Sequence, residues 1–195
     1  QVNEEIRGLL NFCFGTKNDF TMVISGTGSA GMETAVVNFI EPGSKAAIFA
    51  NGFFSDRLTE MATRQRAQVA RLEKPWGEVF TDAEAEEFIA REKPAVVAFV
   101  QAETSTGAYQ PGHGIARAAH AHGALVIMDC VTSLGGMPVD VDAAGIDIAY
   151  SGTQKALGCP PGLAPITVSP RALDWLRQRK TTPASWYLDL KLLLD

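Results

Sequence analysis

Met22-Val-Ile-Ser25-Gly-Thr-Gly-Ser-Ala-Gly31 passes from an apolar, strand-like segment through a glycine-rich turn into a helical pattern over Ser29–Phe39, with no linker between them. A strand that feeds directly into a helix is the building unit of a parallel sheet covered by helices. The unit recurs along the chain. Further apolar runs at Lys45–Ala50, Val69–Leu72, Ala95–Val100, Leu125–Asp129, Ile146–Tyr150 and Ala164–Val168 each suit a buried strand. Helical patterns at Asp56–Gln65, Asp82–Arg91, Gly114–Ala121 and Pro170–Arg179 alternate with them, several opened by Ser, Asp or Pro. The alternation predicts an α/β fold, a three-layer, mostly parallel sheet with helices on both faces. Between Asp129 and Asp147 no long helix is legible; the glycines and Pro138 there read as an irregular crossover able to reverse the next strand. No repeat, low-complexity tract or linker divides residues 1–195, which read as one domain.

Composition bounds what such a domain does. Of 195 residues, 46% are hydrophobic and 20% charged, enough apolar material for a substantial core. The net charge of −5 comes without a basic block, so neither nucleic acid nor anionic lipid is an expected partner. Cys13, Cys130 and Cys159 are odd in number and far apart, which argues against a disulfide framework and against a zinc site. Reduced thiols predict an intracellular compartment, the cytoplasm by expectation, with an organelle left open because residues beyond either end would carry its address. No run reaches the roughly 18 apolar residues of a membrane span, and Gln1-Val-Asn-Glu-Glu5 does not read as a signal sequence. The chain also lacks an initial methionine, which predicts residues upstream. At the other end Trp186-Tyr-Leu-Asp-Leu-Lys-Leu-Leu-Leu194 reads as a helix beginning to bury an apolar face. More chain or a second subunit is expected to cover it.

The chemistry sits at predicted strand ends. The turn Ser25–Gly31 offers free backbone N–H groups and hydroxyls at the positive end of a helix, a place for phosphate. Gly26, Gly28 and Gly31 also satisfy the dinucleotide pattern G-x-G-x-x-G, but the next strand ends in Asn51-Gly52 and lacks the acid that pattern requires. Monophosphate binding is therefore the better reading. Asp129 closes Ala124-Leu-Val-Ile-Met-Asp129, where a parallel sheet presents carboxylates to a ligand crevice. Lys155 lies in Ser151-Gly-Thr-Gln-Lys-Ala-Leu-Gly-Cys-Pro-Pro-Gly162, among small and apolar neighbours expected to desolvate its amine and favour the neutral nucleophile. A lysine that forms a Schiff base with an aldehyde and a carboxylate facing a pyridine nitrogen are what pyridoxal 5'-phosphate requires. Phe54 and Thr104, each just past a strand end, read as a ring-stacking aromatic and a hydrogen-bonding hydroxyl, or as core packing and a turn cap. His113, His120 and His122 read as surface residues; the last two face different directions on a helix and do not share a metal.

Taken in order, Ser-Gly-Thr-Gly-Ser at 25–29, Glu-Thr-Ser-Thr-Gly at 103–107, Asp129-Cys-Val131 and Ser-Gly-Thr-Gln-Lys-Ala-Leu at 151–157 resemble the class V aminotransferases, above all the alanine–glyoxylate (serine–pyruvate) group. The resemblance implies the large domain of a fold type I pyridoxal phosphate enzyme. It implies Lys155 as the cofactor lysine and Asp129 as the partner of the pyridine nitrogen. Thr27, Gly28, Ser29 and Gln154 would hold the phosphate, Val131 would lie beneath the ring, Phe54 above it, and Thr104 near the phenolic oxygen. It further implies a homodimer, with a small C-terminal domain that supplies the substrate-carboxylate arginine and lies outside these residues. Phe54 stands where the family usually carries tryptophan, and Ser29 where it often carries histidine. The expected activity is transamination from a small amino acid, alanine or serine, to a small 2-oxo acid, glyoxylate or pyruvate. Competing readings are a desulfurase- or kynureninase-like lyase, against which Gln154 speaks because those enzymes tend to carry histidine there, an inert cofactor-domain fragment, and an NAD-dependent oxidoreductase, which Asn51 disfavours.

Overall fold

A computed structural model describes residues 1–194. In chain order it contains α1 (Val2–Phe14), β1 (Phe20–Ser25), α2 (Gly28–Phe39), β2 (Lys45–Ala50), α3 (Phe53–Arg64), β3 (Gln68–Glu73), α4 (Asp82–Glu92) and β4 (Val96–Val100). A short hairpin, β5 (Ala102–Glu103) and β6 (Ala108–Tyr109), precedes α5 (His113–Ala121) and β7 (Leu125–Asp129). Then come α6 (Val141–Ala144), β8 (Ile148–Tyr150), β9 (Leu163–Val168), α7 (Pro170–Gln178) and a 3-10 turn at Leu190–Leu193. The main sheet has seven strands in the order β1-β9-β8-β7-β4-β2-β3.

The central strands read as continuous apolar runs because both faces are covered. Ala46 and Ile48 of β2, Val96 and Ala98 of β4, and Leu125 and Ile127 of β7 point into one core with α2, α3 and α7. Their alternates Ala47 and Phe49, Val97 and Phe99, and Val126 and Met128 point into a second core with α4 and α5. Each strand thus divides its side chains between two layers. Phe49 anchors the second core through edge-on contacts with Phe80 and Phe88, at centroid distances of 5.1 and 5.4 Å.

The strand that runs backwards is β9. It pairs antiparallel with both β1 and β8, whereas β8 pairs parallel with β7 through Asp129 opposite Tyr150. The reversal expected of the Asp129–Asp147 crossover therefore occurs one connection later. Neighbouring antiparallel strands need only a loop between them, and Ser151–Gly162 supplies it; the earlier segment, with α6 inside it, returns β8 parallel to β7.

Both chain ends differ from the sequence reading. α1 lies outside the predicted helices: its only buried residue is Phe14, with Leu10 and Cys13 packed beside it, while Val2, Leu9 and Phe12 face solvent, so its core-facing stripe is short and broken by exposed apolar residues. Gly15 ends it with φ 64°, a conformation that favours glycine. The expected helix over Trp186–Leu194 is largely irregular. Asn38 of α2 holds it instead, its amide donating to the Leu188 carbonyl at 2.6 Å and its oxygen accepting from Leu190 N–H at 2.9 Å. Leu188 and Leu190 are buried by this clasp, whereas Trp186 and Tyr187 stay exposed.

At the opposite end of the sheet from the strand ends just named, buried Asp147 accepts from Val126 N–H (2.9 Å), Arg171 Nη1 (2.8 Å) and Ser169 Oγ (3.1 Å), and pairs with His120 Nε2 at 2.9 Å. His120 is at the surface as expected, yet tied inward. Asp147→Ala leaves the Val126 N–H without its acceptor and takes one of three bonds from Arg171, and is expected to lower stability by about 2 kcal/mol. Urea denaturation with an unchanged midpoint would show that the cluster contributes nothing.

Candidate functional site

Every strand of the main sheet except β9 runs the same way, so the carboxyl ends of β1, β2, β4, β7 and β8 lie along one rim. On that rim a cavity of 190 Å³ is lined by Thr27, Gly28, Ser29, Phe54, Asp129, Val131, Gln154 and Lys155, together with Met32 and Arg57. Eight of the nine residues singled out from the sequence thus meet in one place. Larger cavities open between α1 and β1 (390 Å³) and between α2 and α3 (460 Å³), but neither brings a lysine amine to a buried carboxylate.

Thr104 is the ninth, and it is not part of the lining. It is exposed, and its hydroxyl shares a 2.5 Å hydrogen bond with Thr132 in the loop after β7.

Asp129 is the buried charge of the site, 3% exposed. Its Oδ1 accepts from Val131 N–H at 2.9 Å and its Oδ2 from the Tyr150 hydroxyl at 2.9 Å. Burial outweighs both bonds and pushes its pKa up to about 6. Burial, and then the Asp129 charge, likewise holds Tyr150 well above the ordinary range for a phenol, so it stays a hydrogen-bond donor.

The turn before α2 is built by close approaches. A Cβ on Gly28 would stand 2.8 Å from Val131 Cγ2, and one on Gly31 would stand 3.2 Å from both Ala164 and Tyr150 side chains, so α2 lies directly on the sheet. A Cβ on Gly152 would press on Gly28 N at 3.1 Å and on Gln154 Oε1 at 2.9 Å. Gly152, which the sequence reading passed over, therefore lets the lysine loop sit against the helix start. Thr27 is the N-cap without a side-chain capping bond, and among the described residues the N–H groups of Gly28 and Ser29 have no protein partner.

Phe54 owes its place to another residue the sequence reading did not weigh. α3 begins at Phe53, ahead of the expected Asp56, because Glu103 comes down onto its N-terminus. That carboxylate is 1% exposed and accepts from Phe54 N–H at 3.1 Å, Ser55 N–H at 3.2 Å and Ser105 Oγ at 2.7 Å. Gly52 has to be glycine there, since any Cβ would overlap the Glu103 side chain.

Lys155 and Gln154 are exposed, which corrects the expectation of a desolvated amine. The physical reason is the loop itself: Thr153 is pinned through its hydroxyl to the Pro160 carbonyl at 2.7 Å, but Ala156 and Gly158–Gly162 are exposed.

The raised Asp129 pKa carries a sign. Below about pH 4 the carboxyl is protonated in both the folded and unfolded chain. As pH rises through the unfolded value of 3.8 toward the folded value of about 6, only the unfolded chain releases its proton, so stability falls by about 3 kcal/mol. In ligand-free protein, Asp129→Asn is expected to remove that share of the stability difference between pH 4 and pH 7. Denaturation curves at the two pH values check it, and equal differences in variant and wild type would rule it out.

Comparison with known proteins gives the family. The aminotransferase class-V family model matches residues 1–183. Alanine–glyoxylate aminotransferase of Rattus norvegicus is 40% identical over 193 residues, 99% of this chain and 47% of that protein. (S)-Ureidoglycine–glyoxylate transaminase of Bacillus subtilis (strain 168) is 41% identical over 179 residues, 92% of this chain and 43% of that protein. A crystal structure of alanine–glyoxylate aminotransferase from Nostoc sp. superposes with a TM-score of 0.96 at 46% identity, covering 98% of this chain and 51% of the other. The chain spans about half the length of the relatives it matches. By fold, by site and by this family match over residues 1–183, the chain belongs to the class-V aminotransferases.

Proposed function

We propose that this chain is the cofactor-binding large domain of a pyridoxal 5'-phosphate-dependent aminotransferase that acts as a homodimer. The proposed reaction moves an amino group from a small amino acid, alanine or serine, to a small 2-oxo acid, glyoxylate or pyruvate. The observation that carries this reading is the meeting of the Lys155 amine, the buried Asp129 carboxylate and the uncapped start of α2 in one cavity. Glyoxylate stands in the names of relatives from Rattus norvegicus and Bacillus subtilis, and so is the favoured acceptor.

The residues present fit the cofactor. Asp129 is a buried carboxylate short of a cation, and a protonated pyridine nitrogen is a cation of the right shape to meet it. The start of α2 leaves N–H groups free for an anion, with Thr27, Ser29 and Gln154 side chains beside them. Phe54 and Val131 supply apolar surfaces for the two faces of a flat ring. When bound, pyridoxal phosphate supplies an aldehyde that accepts the amino group and a ring that withdraws electrons from the substrate α-carbon.

The chain's own work follows from its groups. Asp129 holds a proton at the ring nitrogen, and Tyr150 and Val131 N–H keep its two oxygens aimed. Lys155 Nζ is the one amine that lines the cavity among the described residues, and takes the proton from the α-carbon of the amino acid. Its exposed loop leaves it free to swing between the cofactor and that carbon. Thr104 joins the ring contacts by turning its hydroxyl away from Thr132.

Borohydride reduction of the protein saturated with pyridoxal phosphate, followed by peptide mapping, is expected to place a pyridoxyl mass on Lys155. A mass on another lysine, or on none, would sink the assignment. Asp129→Ala is expected to keep the fold while slowing half-transamination by about a hundredfold or more, since a neutral ring withdraws electrons poorly. An unchanged single-turnover rate would assign the carboxylate another role.

A further inference from the structure

Arg57 lines the cavity, yet no sequence motif marked it. It sits one turn into α3, three residues after the Phe54 that Glu103 positions. Its guanidinium carbon lies 4.8 Å from the centre of the Phe54 ring and 5.2 Å from that of Phe53, so the cation rests against both members of this edge-to-face pair. From there Nη1 donates to Ser29 Oγ at 2.9 Å, in the first turn of α2.

No carboxylate among the described residues forms an ion pair with it. The neighbouring acids of α3 are engaged elsewhere, Asp56 with Arg71 at 2.5 Å and Glu60 with Arg64 at 2.5 Å. Glu33 faces the adjoining α2–α3 groove beside Arg57 but makes no ion pair with it. Among the described residues, then, a partly buried guanidinium points at the positive end of a helix with no carboxylate against it. Two like-signed features brought together in this way are stable when an anion lies between them. The Arg57 charge also reaches into the site far enough to oppose the upward push on Asp129.

We propose that Arg57 is a positioning residue that ties the ring-covering Phe54 to the phosphate-binding turn at Ser29. Its unpaired charge makes a dianionic phosphate ester, in preference to the corresponding alcohol, the ligand of this cavity. The inference rests on the cofactor reading above. Through the Phe54 stack it fixes the height of the ring cover; through Ser29 it turns one hydroxyl so that the oxygen accepts from arginine and its proton is left for a phosphate oxygen. A lysine could supply the charge but neither the flat stacking surface nor the fork of donors.

The test is equilibrium binding of pyridoxal 5'-phosphate and of pyridoxal to protein stripped of cofactor, read by absorbance in wild type, Arg57→Gln, Arg57→Lys, Ser29→Ala and the Arg57→Gln/Ser29→Ala double variant. Arg57→Gln is expected to weaken pyridoxal phosphate binding at least tenfold and pyridoxal binding less than threefold, with Arg57→Lys recovering only part of the loss. The double variant is expected to lose less than the product of the two single losses, because part of the Arg57 effect passes through Ser29. Equal losses for both ligands, no loss for either, or full recovery by lysine with independent single effects would overturn the proposal; thermal melting of each variant shows whether it is folded. Failure of the underlying reading looks different: wild type itself would then bind pyridoxal phosphate no better than pyridoxal.

Discussion

A sheet covered by helices on both faces can meet a ligand only at its ends, and that constraint organises this molecule. Alternate residues of β2, β4 and β7 are consumed by two cores, leaving no strand residue free for chemistry until the chain leaves the sheet. Asp129 is the last residue of β7, Phe54 follows β2 within a few residues, and Thr27 to Ser29 follow β1. Functional groups distant in sequence are neighbours because their strands point the same way.

What happens at that rim depends on how closely backbone can approach backbone. Gly28 and Gly31 bring α2 down onto Val131, Tyr150 and Ala164, and Gly152 brings the lysine loop against Gly28. Glu103 does the same work with charge, its buried carboxylate satisfied by the N–H groups that open α3. Each contact fixes a helix start, and each helix start carries a side chain of the cavity. The site is therefore closely packed where it would hold a phosphate and a ring, and open around Lys155.

The main strands were legible because burial on both faces leaves long apolar runs bounded by turn residues, and Lys45–Ala50 and Leu125–Asp129 have the predicted limits. Asp129, Gly28 and Lys155 stood out because strand ends and glycine turns are local signals. Arg57 and Glu103 were not legible, since each matters through a partner far away in sequence: Arg57 through Ser29, and Glu103 through the amides of Phe54 and Ser55. Nothing in an arginine on an amphipathic helix distinguishes it from a solvated one. The direction of β9 was hidden for a similar reason, because strand polarity is decided by pairing and not by the run itself. α1 escaped because only Leu10, Cys13 and Phe14 near its end pack against the core, while Val2, Leu9 and Phe12 face outward and blur the period.

The reversal of β9 bears on the lysine. Had β8 continued into a parallel neighbour, its exit would have required a crossover long enough to return to the other end of the sheet, carrying the chain away from the rim along a face. An antiparallel neighbour needs only Ser151–Gly162, and that loop stays at the carboxyl end where Asp129 is. The same choice of pairing thus places an amine beside the carboxylate and leaves it uncovered. Thr153, bonded to the carbonyls of Pro160 and Leu163, closes the base of the loop, so Lys155 moves on a tethered segment instead of a free one. A base that must reach two atoms in turn requires such a mount: held at its root by the sheet, and free at its tip.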